Sequence, residues 1–265
     1  MKINLPDYHI HTTLCNHACG VMEDYVEKAV EKGFKEIGFA EHMPVMTEPH
    51  LCMSYDDLPY YVERVKNIQE RYKGAISVKL GAEMDMNLER TDEIFKIIET
   101  YEFDYVIGSI HYLGIWPFDQ KQYKDVFEKN DINEIYGRFF NTVLKAAKTG
   151  IYDITGHIDN LKRMGYRPDM DLTPYYEKAA AILKEMNLTI EINSSGYDYP
   201  AMEAYPSPAF LKILFKHGVP VTFGSDSHSP EHLGRHFDKA LKTAVDAGYS
   251  SVAFFDKRKR IMKPF

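Results

Sequence analysis

The chain has 265 residues, 45% hydrophobic and 27% charged, a globular composition that excludes disordered, collagen-like and disulfide-scaffold proteins. With 32 basic against 39 acidic residues the net charge is −7, so no bulk field draws this surface to nucleic acid or to an anionic membrane. No apolar run reaches the ~18 residues of a membrane span, and the opening MKINLPDYHIHTT lacks the apolar core of a secretory signal; a cytoplasmic protein is expected.

In chain order, short apolar runs alternate with amphipathic segments. Strands are expected at 7–11, 34–42, 75–83, 103–111, 151–157, 188–195, 219–226 and 249–255. Six of these runs follow Gly33, Gly74, Gly150, Asn187, Gly218 or Gly248, residues suited to the left-handed turn that ends a helix. Helices are expected at 22–32, 56–72, 91–100, 132–148, 173–186, 207–217 and 229–247. Thr173, Ser207 and Ser229 each stand before a proline, the pattern of an N-cap followed by a residue that needs no N–H in the first turn. In the last helix Leu233, Phe237, Ala240, Leu241, Ala244 and Val245 share a face, which assigns that face to the core. Repeated strand and helix units without a linker predict one α/β domain over 1–265, a closed or nearly closed parallel barrel, with an open doubly wound sheet as the alternative. The stretches 113–130 and 162–171 are long and follow strand ends, which places them on the face where such barrels keep their sites.

The strand ends carry the chemistry. They supply His9 and His11, then His42, Glu83, His111, His157, and finally Asp226 with His228, while His17 follows the first strand within a short loop. One histidine at a strand end is ordinarily a structural hydrogen-bonding residue. Nine ligand-capable residues on one rim are different, because that many neighbouring imidazoles cannot all charge, and divalent ions provide the partners they need. Alternation puts His9 and His11 on one face of their strand, and Glu83 has two oxygens with which to bridge a pair of ions. Nine ligands, one of them bridging, suffice for three divalent ions with open positions left for water and substrate. Imidazole and carboxylate without thiolate suit zinc, iron or manganese.

Other residues read as structural. Asp7 and Glu41 stand next to ligands and are expected to hydrogen-bond behind them. Three cysteines, Cys15, Cys19 and Cys52, are too few and too odd in number for a disulfide framework, and Cys15 and Cys19 around His17 lack the fourth partner of a structural zinc site. His232 and His236, at i and i+4, are expected on an exposed helix face, and His50 and His217 at the surface.

These blocks resemble the polymerase and histidinol phosphatase (PHP) superfamily, and within it the histidinol-phosphatase branch. The resemblance runs through DYHIHT (7–12), IGFAEHMP (37–44), LGAEMD (80–85), GSIHYLG (108–114), WPFD (116–119), GHIDNLKR (156–163), EINSSG (191–196), YPSP (205–208) and GSDSH (224–228). It implies a distorted TIM-like barrel of about seven parallel β/α units with a trinuclear cluster. One ion would take His9, His11, Glu83 and Asp226, a second Glu83, His111 and His157, and a third His17, His42 and His228.

The expected reaction is hydrolysis of a small phosphate monoester, L-histidinol phosphate in histidine biosynthesis. Glu83 would hold two ions at the nucleophile, and Asp226 or His228 would move protons. Arg163 is the candidate phosphate clamp, Lys162 shares the role, and Arg235 is a further candidate. One departure stands out: Asp198 stands near the position, shortly after EINSSG, where the resemblance leads one to expect a second basic phosphate contact, so either another residue such as Arg235 substitutes or the substrate is another small phosphate ester. A nucleic-acid phosphodiesterase would need a basic groove with stacking aromatics, against the −7 charge. A non-catalytic metal-binding module would be expected to have lost part of the ligand set, and all nine positions are ligand-capable.

Overall fold

The computed structural model describes residues 4–265. Seven parallel strands form the sheet: β1 (Asp7–Ile10), β2 (Glu36–Phe39), β3 (Ser77–Asp85), β4 (Tyr105–Ser109), β7 (Ile154–Thr155), β8 (Thr189–Asn193) and β9 (Val221–Gly224), paired in that order. The loop after β4 carries a small hairpin of β5 (Tyr112–Leu113) and β6 (Trp116–Pro117), and the chain ends in an antiparallel pair, β10 (Ser251–Asp256) and β11 (Lys259–Pro264). The helices are α1 (Met22–Lys32), α2 (Leu58–Arg71), α3 (Thr91–Thr100), α4 (Asp125–Lys129), α5 (Ile132–Ala147), α6 (Thr173–Glu185), α7 (Pro208–Lys216) and α8 (Phe237–Ala247). Among the described residues no helix is long and apolar enough to cross a membrane.

The turn residues read in the sequence do their expected work: Gly33, Gly74, Gly150, Asn187, Gly218 and Gly248 all have positive φ. The outer sheet ends meet at the top rim, where the Ser227 N–H donates to His9 O (3.0 Å) and the His11 N–H donates to Ser227 O (2.9 Å). Below that point β10 bonds to both flanking strands: Thr222 Oγ1 donates to Ala253 O, and the Phe255 N–H donates to Tyr8 Oη. The run 249–255 is therefore a strand, but not a barrel stave. Ala253 and Phe255 instead join Tyr8, Ala40, Tyr105, Ile107 and Ile154 in an apolar cluster that plugs the barrel. Tyr105 fits because β2 and β3 carry glycines beside it; a Cβ on Gly38 or Gly81 would lie 2.3 or 2.2 Å from its phenol.

Two expected helix starts differ. Thr173 is the first residue of α6, not its cap, and Asp171 accepts its N–H (2.9 Å). Ser229 opens only a single 3-10 turn (Pro230–His232), and the chain passes Gly234 and His236 at positive φ before α8 begins. The Gly234 N–H donates to Asp7 Oδ2 (2.9 Å), a tie that holds this segment on the barrel instead of in a helix. With the helix shortened, Phe237, Ala240 and Ala244 face the core, Leu233 is buried in the preceding turn, Leu241 sits at the margin and Val245 is 53% exposed.

Candidate metal centre and its cavity

The carboxyl ends of the strands bring all nine expected residues to one rim. Glu83, from the end of β3, stands at the middle, 1% exposed. His42 Nδ1 lies 2.8 Å from its Oε2, His11 Nε2 3.5 Å from the same oxygen, and His9, His157 and His111 Nε2 lie 3.2, 3.2 and 3.6 Å from Oε1. His42 reaches it because a parallel β-bridge pairs His42 with Glu83 just beyond β2. The rim closure sets Asp226 beside β1, with Oδ1 4.0 Å from His9 and 3.6 Å from His11. Asp226 adopts φ 50°, a left-handed conformation that aspartate tolerates better than most residues. His17 and His228 complete the rim, their Nε2 atoms 3.0 Å apart.

The donor set fits divalent ions. Both Glu83 oxygens, His9 Nε2, both His11 nitrogens, His42 Nδ1 and His157 Nδ1 are buried without a hydrogen-bond partner. Each such atom costs about 1–3 kcal/mol in a protein interior, so a converging group of them calls for a ligand. Four triads offer ligand atoms within 4.8 Å of one another: His9–His11–Asp226, His9–Glu83–His157, His11–His42–Glu83 and His17–His42–His228. Burial and neighbouring imidazoles hold His11 well below its usual range and His228 down at about 3, so both present neutral nitrogens. Burial pushes the Glu83 carboxyl up, but His9, His42 and His111 beside it hold it ionised, well below the usual carboxylate range. Cys15 Sγ also approaches His11 and His228, yet burial pushes its thiol up to about 12.

Two carboxylates behind the rim escaped the sequence reading. Glu191 Oε1 accepts from His9 Nδ1 at 2.5 Å and its Oε2 accepts the His157 N–H at 2.8 Å. Asp85 Oδ1 lies 2.6 Å from His111 Nδ1. Each orients an imidazole so that Nε2 faces Glu83. Alternation placed Asp85 on the face of Glu83, two residues after it, a signal that was present; Glu191 fits because Gly224 leaves room, where a Cβ would lie 2.0 Å from Oε1. Asp7 accepts from Ser225 and Gly234, and Glu41 from Thr12, the structural roles expected of them.

The rim opens into a cavity of about 530 Å³ lined by His17, His42, His111, His157, Asp226 and His228, with Arg163 and Arg235 on its wall. Asp119 and Gln120 from the 113–130 stretch, and the exposed His50 and His232, also reach it, so these two histidines face the cavity mouth. Lys162 does not share the role expected of it. It is 2% exposed; its Nζ donates to Asp159 Oδ2 (2.9 Å) and Ala204 O (2.9 Å) and forms an ion pair with Glu203 (2.9 Å), beside a separate cavity. His236 is not on a helix face; it precedes α8 and lies 2.6 Å from Asp198 Oδ1. His217, half-buried, pairs with Glu177.

The chain belongs to the PHP domain family, whose domain matches residues 7–195. A probable histidinol-phosphatase of Deinococcus radiodurans is 33% identical to it, over 98% of this chain and 99% of the relative. The histidinol-phosphatase of Bacillus subtilis is 26% identical, over 89% and 98%. The fold matches a crystal structure of histidinol phosphate phosphatase from Lactococcus lactis, complexed with zinc, L-histidinol and phosphate, with a TM-score of 0.81 over 97% of this chain and 98% of that one, at 24% identity.

Proposed function

We propose that this chain is a cytoplasmic phosphatase that hydrolyses L-histidinol phosphate to L-histidinol and phosphate in histidine biosynthesis. Three divalent ions, zinc, iron or manganese, would be held by His9, His11, His17, His42, Glu83, His111, His157, Asp226 and His228. The observation that carries this reading is the meeting of those nine side chains on one rim, six of which line, with two guanidinium groups, a cavity whose ~530 Å³ suits a small ester. The relatives named above, matched along nearly their whole length, narrow the ester to histidinol phosphate.

Uncatalysed monoester hydrolysis is extremely slow, because water is a poor nucleophile and the phosphoryl oxygens repel it. Divalent ions bound at the rim supply an activated water and neutralise charge on the transferring phosphoryl group. Arg163 and Arg235 hold phosphate oxygens from the cavity wall, each with a planar fork that matches two oxygens. Asp226, at 15% exposure the more open of the two rim carboxylates, and His228 beside it carry the proton towards the leaving alkoxide.

The test is phosphate release by purified, metal-analysed protein from L-histidinol phosphate beside a panel of other monoesters. A strong preference for histidinol phosphate is expected. Weak or indiscriminate activity with metals bound would leave the metal centre standing and remove the substrate assignment.

A further inference from the structure

We propose that the turn 194–199 is a bracket that aims two arginines at the phosphate, with Asp198 and Tyr199 as its positioning residues; this rests on the phosphatase reading above. The two residues are neighbours in sequence, and each holds a different guanidinium. Asp198 Oδ2 forms an ion pair with Arg235 Nη1 at 3.0 Å. The Tyr199 hydroxyl accepts from Arg163 Nη2, and its ring lies under that guanidinium, 3.8 Å from Cζ to the ring centroid.

The turn itself is pinned. Asn193 Oδ1 accepts from the Ser195 N–H (3.0 Å) and hydroxyl (2.7 Å), and Ser194 Oγ donates to Arg235 O at 2.6 Å. Arg235 is thereby tied to the turn through both its backbone and its side chain. Its Nε–H goes to Ser225 O (3.0 Å) and one Nη2–H to Asp226 O (3.0 Å). With these two of its five donors used and Asp198 paired to Nη1, each terminal nitrogen keeps at least one N–H for an anion in the cavity. Arg163 keeps a buried Nε–H without a partner and has Asp119 3.5 Å from Nη1.

This arrangement answers the charge conflict that Asp198 poses in the sequence. A free carboxylate at an anion site repels phosphate. Here Asp198 lies behind Arg235, outside the cavity lining, with Arg235 on one oxygen and His236 on the other at 2.6 Å. An acidic residue thus delivers the positive charge that the sequence position lacks.

The experiment compares metal-loaded wild type with Asp198→Asn, Asp198→Glu and Tyr199→Phe. It reads kcat and KM on L-histidinol phosphate, competitive inhibition by inorganic phosphate, and Tm. Losing the ion pair that aims the guanidinium should raise KM and the phosphate inhibition constant about tenfold in Asp198→Asn, with a smaller change in kcat, an unmoved Tm and partial rescue in Asp198→Glu. Tyr199→Phe should raise both constants in the same direction.

A bystander carboxylate gives the opposite sign, because removing it would tighten phosphate binding. Tighter or unchanged phosphate affinity in Asp198→Asn overturns the bracket, as does a joint fall in Tm and kcat with phosphate inhibition unmoved. If wild type does not turn over histidinol phosphate, the phosphatase reading fails separately. Calorimetric titration of wild type and Asp198→Asn with inorganic phosphate then decides the bracket: about tenfold weaker binding by the variant supports it, and equal, tighter or absent binding by both overturns it.

Discussion

Replacing Glu83 by Gln tests the centre at its middle. The side chain keeps its size and loses one unit of charge, in a position 1% exposed with five imidazoles 2.8–3.6 Å from its oxygens. Neither oxygen has a hydrogen-bond partner, which suits the carboxylate to a cation. One charge pair at ~4 Å is worth about 4 kcal/mol at an effective dielectric of ~20. At about 1.4 kcal/mol per decade, metal affinity should fall about a thousandfold, and turnover should fall with it. The assay is metal content by elemental analysis of the purified variant, together with phosphate release from L-histidinol phosphate across a range of added metal. A Glu83→Gln protein with the wild-type metal complement and wild-type turnover would refute the reasoning, since a charge shared by two of the three proposed ions would then be dispensable.

Arg163→Ala should lower kcat/KM on a phosphate monoester by about 10- to 100-fold through lost charge-assisted contacts, and unchanged kinetics would return Arg163 to the cavity wall. Glu191→Gln weakens the acceptor behind His9 and should cost about 10- to 100-fold in metal affinity or activity; a variant equal to wild type in both would show that His9 needs no support. Phe255→Ala opens the plug beneath the site, where the ring packs 6.1 Å from Tyr8 and 6.2 Å from Tyr105. It should cost about 3–5 kcal/mol in denaturant unfolding, and a loss under about 1 kcal/mol would mean that the hairpin is not part of the core. The Cys15 thiol, pushed up to about 12 by burial, is ionised to only about one part in ten thousand at pH 8, and Cys19 is exposed. Alkylation of the native protein followed by peptide mass analysis should therefore mark Cys19 before Cys15; equal rates would contradict the packing of the first loop.

What the sequence determined by itself is what repeats along the chain or recurs at a fixed place in each unit. Gly33, Gly74, Gly150, Asn187, Gly218 and Gly248 mark helix ends because a left-handed turn restricts the residue locally, whatever surrounds it. The rim residues are legible for a related reason: a parallel barrel brings all its strand ends to one face, so the eight ligand-capable side chains at those ends must meet, with His17 in the loop after the first strand beside them. Only the tertiary structure decided what depends on neighbours distant in sequence. Lys162 and Arg163 are adjacent and both cationic, yet Lys162 is consumed by Asp159, Glu203 and Ala204 O while Arg163 reaches the cavity. The run 249–255 has the pattern of another stave, but rim closure between His9, His11 and Ser227 leaves it to plug the floor with Phe255. Asp198 reads as a repulsive charge until its partners, Arg235 and His236, are seen beside it. Local conformation is written in local residues. The sign and reach of a charge are set by whatever the fold packs against it.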